Sequence, residues 1–409
     1  MWQYIIPIFD PDVKNWSAEA RLLRWMTFLW LLVGLVVLFS ASYALADSRF
    51  DNGLYYFIRQ LIWLWIGLIG FNFLVRLPIE NLLKIAPWMI LLVLGLILIT
   101  LIPGLGANIN GATRWIKIGP ILLQPSEFMK PFLVLQGAAV FGGWPRLNVN
   151  QRLTWIAIFG LILAGILLQP NLSTTALCGI TLWLIALASG LPLSYMTSTA
   201  LLGVTMAVVS VTFREYQRKR ILSFLDPWQD PRGDGYQLVQ SLLAIGSGGS
   251  TGSGYGLSQQ KLFYLPFPDT DFIFAVFGEE FGFIGGILLL IMLFLYATLA
   301  LIVAVKCRHR IKKLVAIGAM VILIGQSLLN IGVATGSLPT TGLPFPLFSY
   351  GGSSSLASLF LAALLIRVAT LPGYGFYFRC LWRGIWFYWR YFTVSHAISL
   401  RYSCPDRGG

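Results

Sequence analysis

Long runs of apolar residues recur along almost the whole chain. In one of these runs, from Leu22 to Ser42, no charged residue follows Arg24. About 20 apolar residues are enough for a helix to cross a hydrocarbon core roughly 30 Å thick. With 57% hydrophobic residues and a mean hydropathy of +0.76, the 409-residue chain carries more apolar surface than a water-soluble globule can bury. The sequence therefore predicts an all-α integral membrane protein.

Ten apolar windows are long enough to be transmembrane helices. They cover residues 22–44, 57–76, 86–103, 125–143, 153–169, 172–190, 195–213, 271–305, 314–335 and 349–371. The longest interval between them, from Arg214 to Thr270, is too long for a passive turn, and long ordered loops usually carry function. We therefore predict a polytopic bundle of about ten transmembrane helices over residues 22–371, with a large loop of about residues 214–270 between helices seven and eight.

The distribution of lysine and arginine predicts the orientation of the bundle. Placing the N-terminus in the cytoplasm leaves most of the 29 basic residues inside, in agreement with the positive-inside rule. Residues 1–21 are then a cytoplasmic segment, residues 372–409 a cytoplasmic tail, and the 214–270 loop is extracytoplasmic. The tail interleaves aromatic and basic residues, which indicates contact with membrane lipids. We expect a multi-pass protein of the cell inner (cytoplasmic) membrane.

The basic residues left outside are clustered in two predicted outer loops. They include Arg114, Lys117 and Lys130 in or beside the first loop, and Arg218, Arg220 and Lys261 in the second. Clustered cations suit an anionic ligand, and because nucleic acid is not available outside the cell, we expect a lipid-linked phosphate. Two alternatives stay open: charge that merely flanks helix seven, and a structural salt bridge between Glu127 and Lys130 at i,i+3.

Asp271 stands where helix eight is predicted to begin. We expect Asp269 or Thr270 to cap this helix, so that Asp271 lies in its first turn. The helix dipole and nearby cations favour the ionised carboxylate, whereas desolvation at the membrane boundary disfavours it. A carboxylate that is ionised but poorly hydrated suits general base catalysis. The alternative is a carboxylate that serves only the helix terminus.

Two adjacent carboxylates, Glu279 and Glu280, follow eight and nine residues later in the same apolar run. Carboxylates are costly inside a membrane, and neighbours on a helix point about 100° apart. One of them is therefore expected to line a polar cavity or pair with a cation, while the other pairs for structure. A functional and a structural role are equally open for this pair.

Several motifs, taken together, resemble the SEDS (shape, elongation, division and sporulation) family. The resemblance runs in order from about Leu22 to Ala369. It rests on residues 111–130, 169–170, 226–249, 260–285, 330–342 and 349–354. Within the family, residues 260–266 and 338–342 are more similar to the cell-division branch than to the elongation branch.

The resemblance implies a peptidoglycan glycosyltransferase that polymerises lipid II at the outer face of the cytoplasmic membrane during septal cell-wall synthesis. It also implies a class B penicillin-binding protein and other divisome membrane proteins as partners. The family's essential aspartate, in a Leu-Pro-Glu-x-His-Thr-Asp-Phe motif, falls on Asp271. In this chain Phe267 replaces the glutamate and Asp269 the histidine, and Asn171 stands where an acidic residue commonly follows Gln-Pro.

On this hypothesis Asp271 removes the proton from the 4-hydroxyl of the acceptor sugar while that oxygen attacks the anomeric carbon of a lipid-pyrophosphate-linked chain. A single inversion makes the β-1,4 bond, so one carboxylate base suffices. No cofactor is certain, and a divalent cation, Mg²⁺ or Mn²⁺, stays open. The predicted substrate-binding residues are Arg114, Lys117, Lys130, Arg218, Arg220, Gln237, Lys261, Glu279 and Glu280.

Two rival functions use the same features of the sequence. A lipid II flippase would depend on acidic groups near the bilayer midplane, so that Glu279 and Glu280 would matter more than Asp271. A non-catalytic scaffold for the class B penicillin-binding protein would depend on its helix surfaces and not on the outer cations.

Overall fold

The structure, a computed structural model, describes residues 13, 15–109, 112–119 and 121–370. The helices that precede the long loop are α1 Ala18–Phe50, α2 Tyr55–Arg76, α3 Ile79–Thr100, α4 Pro125–Gly142, α5 Val149–Leu168, α6 Leu172–Ala188 and α7 Leu193–Phe213. The loop contains α8 Glu215–Leu225 and α9 Tyr236–Ser247, and it is followed by α10 Ile273–Lys306, α11 Arg310–Ala334 and α12 Gly352–Ala369. Three strands are β1 Gly106–Ile109, β2 Ala112–Ile118 and β3 Ile121–Leu123.

The predicted polytopic helical bundle is confirmed. Each of the ten predicted apolar windows coincides with one of the helices α1 to α7 and α10 to α12. Eight of the described helices are long and apolar enough to cross a membrane. The other two are α4, with 18 residues, and α6, with 17. The chain is a multi-pass membrane protein whose α11 and α12 are largely buried, whereas α7 is almost entirely exposed.

Polar side chains in the sequence determine where several helices begin. The Ser17 side chain caps α1 by accepting a hydrogen bond from the Ala20 amide at 3.1 Å. Asn148 and Gln151 form a reciprocal capping box at the start of α5. Asn171 caps α6 by accepting a hydrogen bond from the Thr174 amide through its side-chain oxygen, so the residue that departs from the family pattern has a structural role at the start of this helix.

Contacts between helix ends define two faces of the bundle. The Ser17 hydroxyl at the start of α1 donates to the Ala369 carbonyl at the end of α12, at 2.9 Å. At the other end, the Asn330 amide near the end of α11 donates to the Asp271 carbonyl, just before α10, at 2.8 Å. We call the end that contains Asp271 the Asp271 face and the end that contains Ser17 the opposite face.

A small antiparallel sheet, ordered β1-β2-β3, lies between α3 and α4 and is an addition to the predicted all-helical fold. Its strands have 4, 7 and 3 residues. Strands this short show too few alternations to be recognised by periodicity. The turn between β2 and β3 passes through Gly119 at φ 58°, a conformation that glycine adopts without strain.

The region around the start of α10 differs from its prediction in two respects. The prediction of a cap from Asp269 or Thr270 was wrong, because α10 begins at Ile273 with Phe272 at the N-cap position and no side-chain capping bond. The predicted continuous helix is also interrupted at Gly282, where φ is 65° and ψ is −166°. Asp271 therefore lies in the preceding loop and not in a helical turn.

Some sequence predictions concern residues outside the described part of the chain. These are most of residues 1–14 in the N-terminal segment, residues 111 and 120 of the stretch 111–130, and the predicted basic and aromatic tail from 372 to 409.

Candidate active site

A network of backbone hydrogen bonds fixes Asp271 at the start of α10. The amides of Thr270 and Phe272 both donate to the Phe267 carbonyl at 3.2 Å, which closes a tight turn. The Asn330 side chain donates to the carbonyls of both Asp271 and Leu343. Asp271 is thus held between α11 and the segment that joins α11 to α12, with little freedom to change position.

Gly342 lies directly beside the Asp271 carboxylate. A Cβ atom added to Gly342 would be 3.6 Å from Asp271 Oδ2 and 3.9 Å from Arg220 Nη1. The carboxylate and the guanidinium therefore approach the same glycine. Gly342 also has φ 70°, so a side chain there would be strained as well as placed beside these two groups.

Arg220 is positioned by α8 and by the segment after α11. Its guanidinium lies over the Tyr216 ring, 4.5 Å from the ring centroid, and also donates to the Tyr216 hydroxyl. A second bond, from Nη1 to the Thr340 carbonyl, measures 3.0 Å. All of these partners are neutral, so the positive charge stays available to an anion.

Arg114 approaches the site from β2. Its Nε donates to the Gln169 carbonyl at 3.0 Å, and its Nη2 donates to the Pro170 carbonyl. Burial lowers the Arg114 pKa, and Asp271 is among the charges that raise it. An arginine pKa starts so high that the guanidinium stays charged. Carbonyl oxygens, and not carboxylates, therefore hold this second cation near Asp271.

The electrostatics of Asp271 combine partial desolvation with two nearby cations. Burial raises the pKa of Asp271, while Arg220 and, to a smaller extent, Arg114 lower it. None of the five ion pairs between described residues involves Asp271. The carboxylate is thus attracted by positive charge without being neutralised in a salt bridge, an arrangement that leaves it able to accept a proton.

Asp269, which stands where the family motif has histidine, is buried two residues before Asp271. Only 6% of the residue is exposed, and its carbonyl accepts a hydrogen bond from the Tyr350 amide at 2.8 Å. Burial, reinforced by the charge of Asp271, raises the Asp269 pKa to about 6. The two carboxylates therefore titrate in different environments.

Lys130 lies in the interior, between α4 and α11. Its Nζ donates to Glu127 Oε1 at 2.6 Å and to Gln326 Oε1 at 2.9 Å, and only 1% of the residue is exposed. This geometry is the one that the salt-bridge alternative expects. Because the residue is buried, Lys130 is not accessible to a substrate in this conformation.

Glu279, Glu280 and Lys261 form the anchor of the long loop. Lys261 Nζ lies 2.7 Å from Glu280 Oε1 and 2.6 Å from the Ser40 hydroxyl on α1. Glu279 accepts hydrogen bonds from the Ser258 hydroxyl and from the amides of residues 259 and 260. Both carboxylates are buried and already have partners, so in this conformation they hold the loop to α1 and α10.

Only some of the predicted basic residues point toward Asp271. Arg114 and Lys117 are three residues apart on β2, and because strand side chains alternate, they point to opposite faces of the sheet. Arg218 and Arg220 are two residues apart on α8, about 200° around the helix. Lys117 and Arg218 are exposed, while Arg114 and Arg220 are half-buried. Gln237 is half-buried in the first turn of α9.

Sequence reasoning from charge alone missed the neutral groups of this site. They are the Tyr216 ring, the carbonyls of Gln169 and Pro170, the Asn330 side chain and the backbone at Gly342. Residues 169–170 and 330–342 did carry part of the family resemblance, which was the only signal that could have identified them. Between described residues, no group of three His, Cys, Asp or Glu side chains is arranged to hold a metal ion.

Comparisons with protein families and with known protein sequences identify the same family. The profile of the FtsW/RodA/SpoVE cell cycle protein family matches residues 20–372. A probable peptidoglycan glycosyltransferase FtsW of Synechocystis sp. is 62% identical over 365 residues, covering 89% of this chain and 93% of the relative. The stage V sporulation protein E of Bacillus subtilis is 36% identical, over 88% of this chain and 99% of that protein. The similarity to FtsW proteins agrees with the predicted division branch.

Solved structures share the fold. A chain of a peptidoglycan synthase complex that coordinates polymerization and crosslinking matches with a TM-score of 0.69 and 30% identity, over 85% of this chain and 96% of that one. The rod shape determining protein RodA of Thermus thermophilus matches with a TM-score of 0.64 and 27% identity, over 87% of this chain and 98% of that one. The chain therefore belongs to the FtsW/RodA/SpoVE family of cell cycle proteins.

Proposed function

We propose that this protein is a peptidoglycan glycosyltransferase that polymerises lipid II, with Asp271 as the catalytic base. The observation that carries the proposal is the Asp271 carboxylate, which is partly desolvated, takes part in none of the ion pairs between described residues and lies close to the cations Arg220 and Arg114. The FtsW relatives are named for the same activity. A carboxylate that can serve as the base and a positive field that attracts the substrate thus occur at one site.

The reaction needs one proton acceptor. Asp271 takes the proton from the 4-hydroxyl of the acceptor sugar as that oxygen forms a bond to the anomeric carbon of the donor. The bond from this carbon to the pyrophosphate oxygen breaks, and its electron pair leaves with the lipid pyrophosphate. Inversion converts the α-linked diphosphate into a β-1,4 linkage without a covalent enzyme intermediate.

The leaving pyrophosphate gains negative charge as its bond to the sugar breaks. Arg220 and Arg114 are the cations whose charges lower the Asp271 pKa, and each donates hydrogen bonds to carbonyl or phenol oxygens and not to a carboxylate. Guanidinium groups fixed in this way stabilise developing charge without needing to reorganise. The exposed Lys117 and Arg218 would bind phosphate only before or after this step.

The proposal assigns sides and partners to the molecule. Residues 22–371 form the membrane domain of the inner (cytoplasmic) membrane, and the 214–270 loop lies outside. Residues 1–21 and 372–409 are cytoplasmic. The protein acts at the division septum together with a class B penicillin-binding protein that cross-links the strands. A structural relative is part of a synthase complex that coordinates these two activities.

The contacts of Glu279 and Glu280 favour a transferase over a lipid II flippase. A flippase would need acidic groups that are free to meet a charged headgroup as it crosses the membrane. In the structure Glu280 pairs with Lys261, and Glu279 accepts three hydrogen bonds from the loop. These carboxylates therefore hold the long loop in place in this conformation and are not free to meet a charged headgroup.

The test is glycan-strand formation by the purified full-length protein from lipid II in detergent, with and without a class B penicillin-binding protein. A transferase makes strands in at least one of these conditions. A flippase makes none, because substrate in detergent is already accessible and transport does not join sugars. A scaffold makes none even with its partner, and either of these results would overturn the proposal.

A further inference from the structure

A second basic site lies on the opposite face, away from Asp271. A cavity of about 480 Å³ is bounded by the short 3-10 helix Trp144–Arg146, which follows α4, and by the turn that joins α10 to α11. Its walls include three arginines and a histidine, namely Arg146, Arg308, Arg310 and His309, together with Pro145 and Ile311. The described residues that line this cavity include no carboxylate.

Two described acidic residues on the same face, Glu80 and Glu19, are paired with lysines that do not line the cavity. Glu80 pairs with Lys312 at 2.6 Å, and Glu19 pairs with Lys306. The cavity arginine Arg310, by contrast, donates to a neutral group, the Ser189 carbonyl. The described lining thus carries three arginines and no carboxylate, and the two nearby glutamates Glu80 and Glu19 are engaged elsewhere.

The start of α11 increases this positive potential. His309 occupies the N-cap position without a side-chain capping bond, and the first turn contains no acidic residue. The first residues of the helix are instead basic, with Arg310, Lys312 and Lys313 at the end where the helix dipole is also positive. Cations at this end are mildly unfavourable for the helix, whereas a bound anion is favoured there.

We propose that this cavity binds the phosphate headgroup of an anionic phospholipid. Arginine side chains can hold a phosphate with two parallel hydrogen bonds. The uncapped backbone amides at the start of α11 add further hydrogen-bond donors at the positive end of the helix dipole. A lipid fits better than a free ion because the cavity lies at the ends of membrane-spanning helices and includes the apolar Pro145 and Ile311. Basic pockets between helix ends are a common arrangement for such headgroups.

The site is independent of the proposed transferase chemistry. It shares no residue with the Asp271 site, and it would bind lipid whether or not the protein polymerises lipid II. Phospholipid there would link α4 to the turn between α10 and α11, and so would stabilise the opposite face of the bundle.

The test measures lipid retained by the purified full-length protein after mixing with phosphatidylglycerol or phosphatidylcholine, by native mass spectrometry. We expect selective retention of phosphatidylglycerol by the wild type. R146Q removes an exposed cation of the cavity and should weaken apparent binding about fivefold, because one cation near a lipid surface contributes roughly a factor of five. The charge-matched control is K84Q, an exposed lysine in the first half of α3 that does not line the cavity.

Each outcome decides the proposal. Loss of phosphatidylglycerol in R146Q with normal retention in K84Q supports it. Equal retention in wild type and R146Q, or equal loss in both variants, overturns it. An added arm with inorganic phosphate and no lipid separates the two sources of phosphate. If inorganic phosphate alone raises the unfolding temperature of the wild type and not of R146Q, the site binds a free ion, and the lipid assignment is wrong.

Discussion

At the scale of single residues, the ionisation of Asp271 depends on a balance between burial and the charge of two arginines. Burial raises the pKa of this carboxyl, and Arg220 has the largest opposing effect. A general base works only when it is deprotonated, so this balance determines the acid side of the pH dependence.

We predict that R220Q shifts the acid limb of the pH–rate profile to higher pH. Removing the cation that lowers the Asp271 pKa raises that pKa, and less of the base is then ionised at a given acidic pH. The measurement is lipid II turnover by the purified variant between pH 5 and pH 8. R218Q removes an exposed cation two residues away and should leave the limb in place. An unshifted limb in R220Q would contradict the electrostatic role.

Asp269 gives a prediction about stability. Because its folded pKa of about 6 lies above the ordinary 3.8, the folded chain holds this proton more tightly than the unfolded chain. Ionised Asp269 therefore lowers the free energy of unfolding by an amount on the order of 3 kcal/mol above pH 6. This destabilisation decreases as the pH falls from 6 and is absent below about pH 4.

We therefore expect D269N to raise the apparent unfolding temperature at pH 7.5, with a gain that shrinks toward pH 4.5. Thermal unfolding in detergent at the two pH values measures the effect. D234N replaces an exposed aspartate of the same loop and should leave the unfolding temperature unchanged at both pH values. A D269N variant that is less stable than the wild type at pH 7.5 would show that the buried carboxylate has a favourable partner.

The sequence placed Asp271, Arg114 and Arg220 among the candidate site residues, and the structure brings the two arginines near Asp271, but the sequence did not separate them from their neighbours. Lys117 and Arg218 carry the same charge in the same loops, and only the strand and helix geometry turns them away from Asp271. The Asn330 amide and the backbone of Gly342 carry no charge, so charge clustering could not reveal them. Local charge patterns predict which region binds an anion, whereas tertiary contacts decide which side chains form the site.

At the scale of secondary structure elements, α10 is the clearest case of a prediction that needed correction. Its apolar run continues through Gly282, so hydropathy predicts one unbroken helix. In the structure the loop around Gly252 packs against the backbone there, and a Cβ on Gly282 would be 2.3 Å from the Gly252 nitrogen. The interruption arises from a long-range contact between backbones, which no local pattern records.

We predict that G282A strongly destabilises the protein. An alanine would have to adopt a backbone conformation that is essentially restricted to glycine, and its methyl group would collide with the Gly252 backbone. The expected loss is at least about 3 kcal/mol, seen as a lower unfolding temperature or poor recovery of folded protein.

The matched control is G286A, in the same helix. A Cβ at Gly286 meets no atom within 4 Å. Alanine there should be neutral or stabilise by about 0.5–1 kcal/mol, since it favours the helix more than glycine. If G282A and G286A unfolded at the same temperature, the kink would not be a structural requirement.

At the scale of the whole molecule, the ten alternating helices bring Asp271, the sheet and the long loop to one face. The helix windows were predictable because each is a long local signal in a chain of high hydropathy. The three-stranded sheet, α8 and α9 were not, since they are short and depend on packing against the bundle.

We predict that the Asp271 face is extracytoplasmic. In a background in which the native cysteines are replaced by serine, a cysteine at the exposed Thr251 should react with a membrane-impermeant maleimide in cells whose outer permeability barrier is opened. A cysteine at Lys84, near the opposite face, should react only after the inner membrane is disrupted. The reverse pattern would place Asp271 in the cytoplasm, where the proposed polymerisation could not occur.

The most direct measurement of the central claim is the lipid II polymerisation rate of purified D271N beside that of D234N. The amide cannot accept the proton, so D271N should lose a factor of about 10² to 10⁴ in turnover while its unfolding temperature stays close to that of the wild type. D234N, with an exposed aspartate changed in the same loop, should polymerise normally. Turnover by folded D271N within a few-fold of the wild type would contradict the assignment of Asp271 as the base.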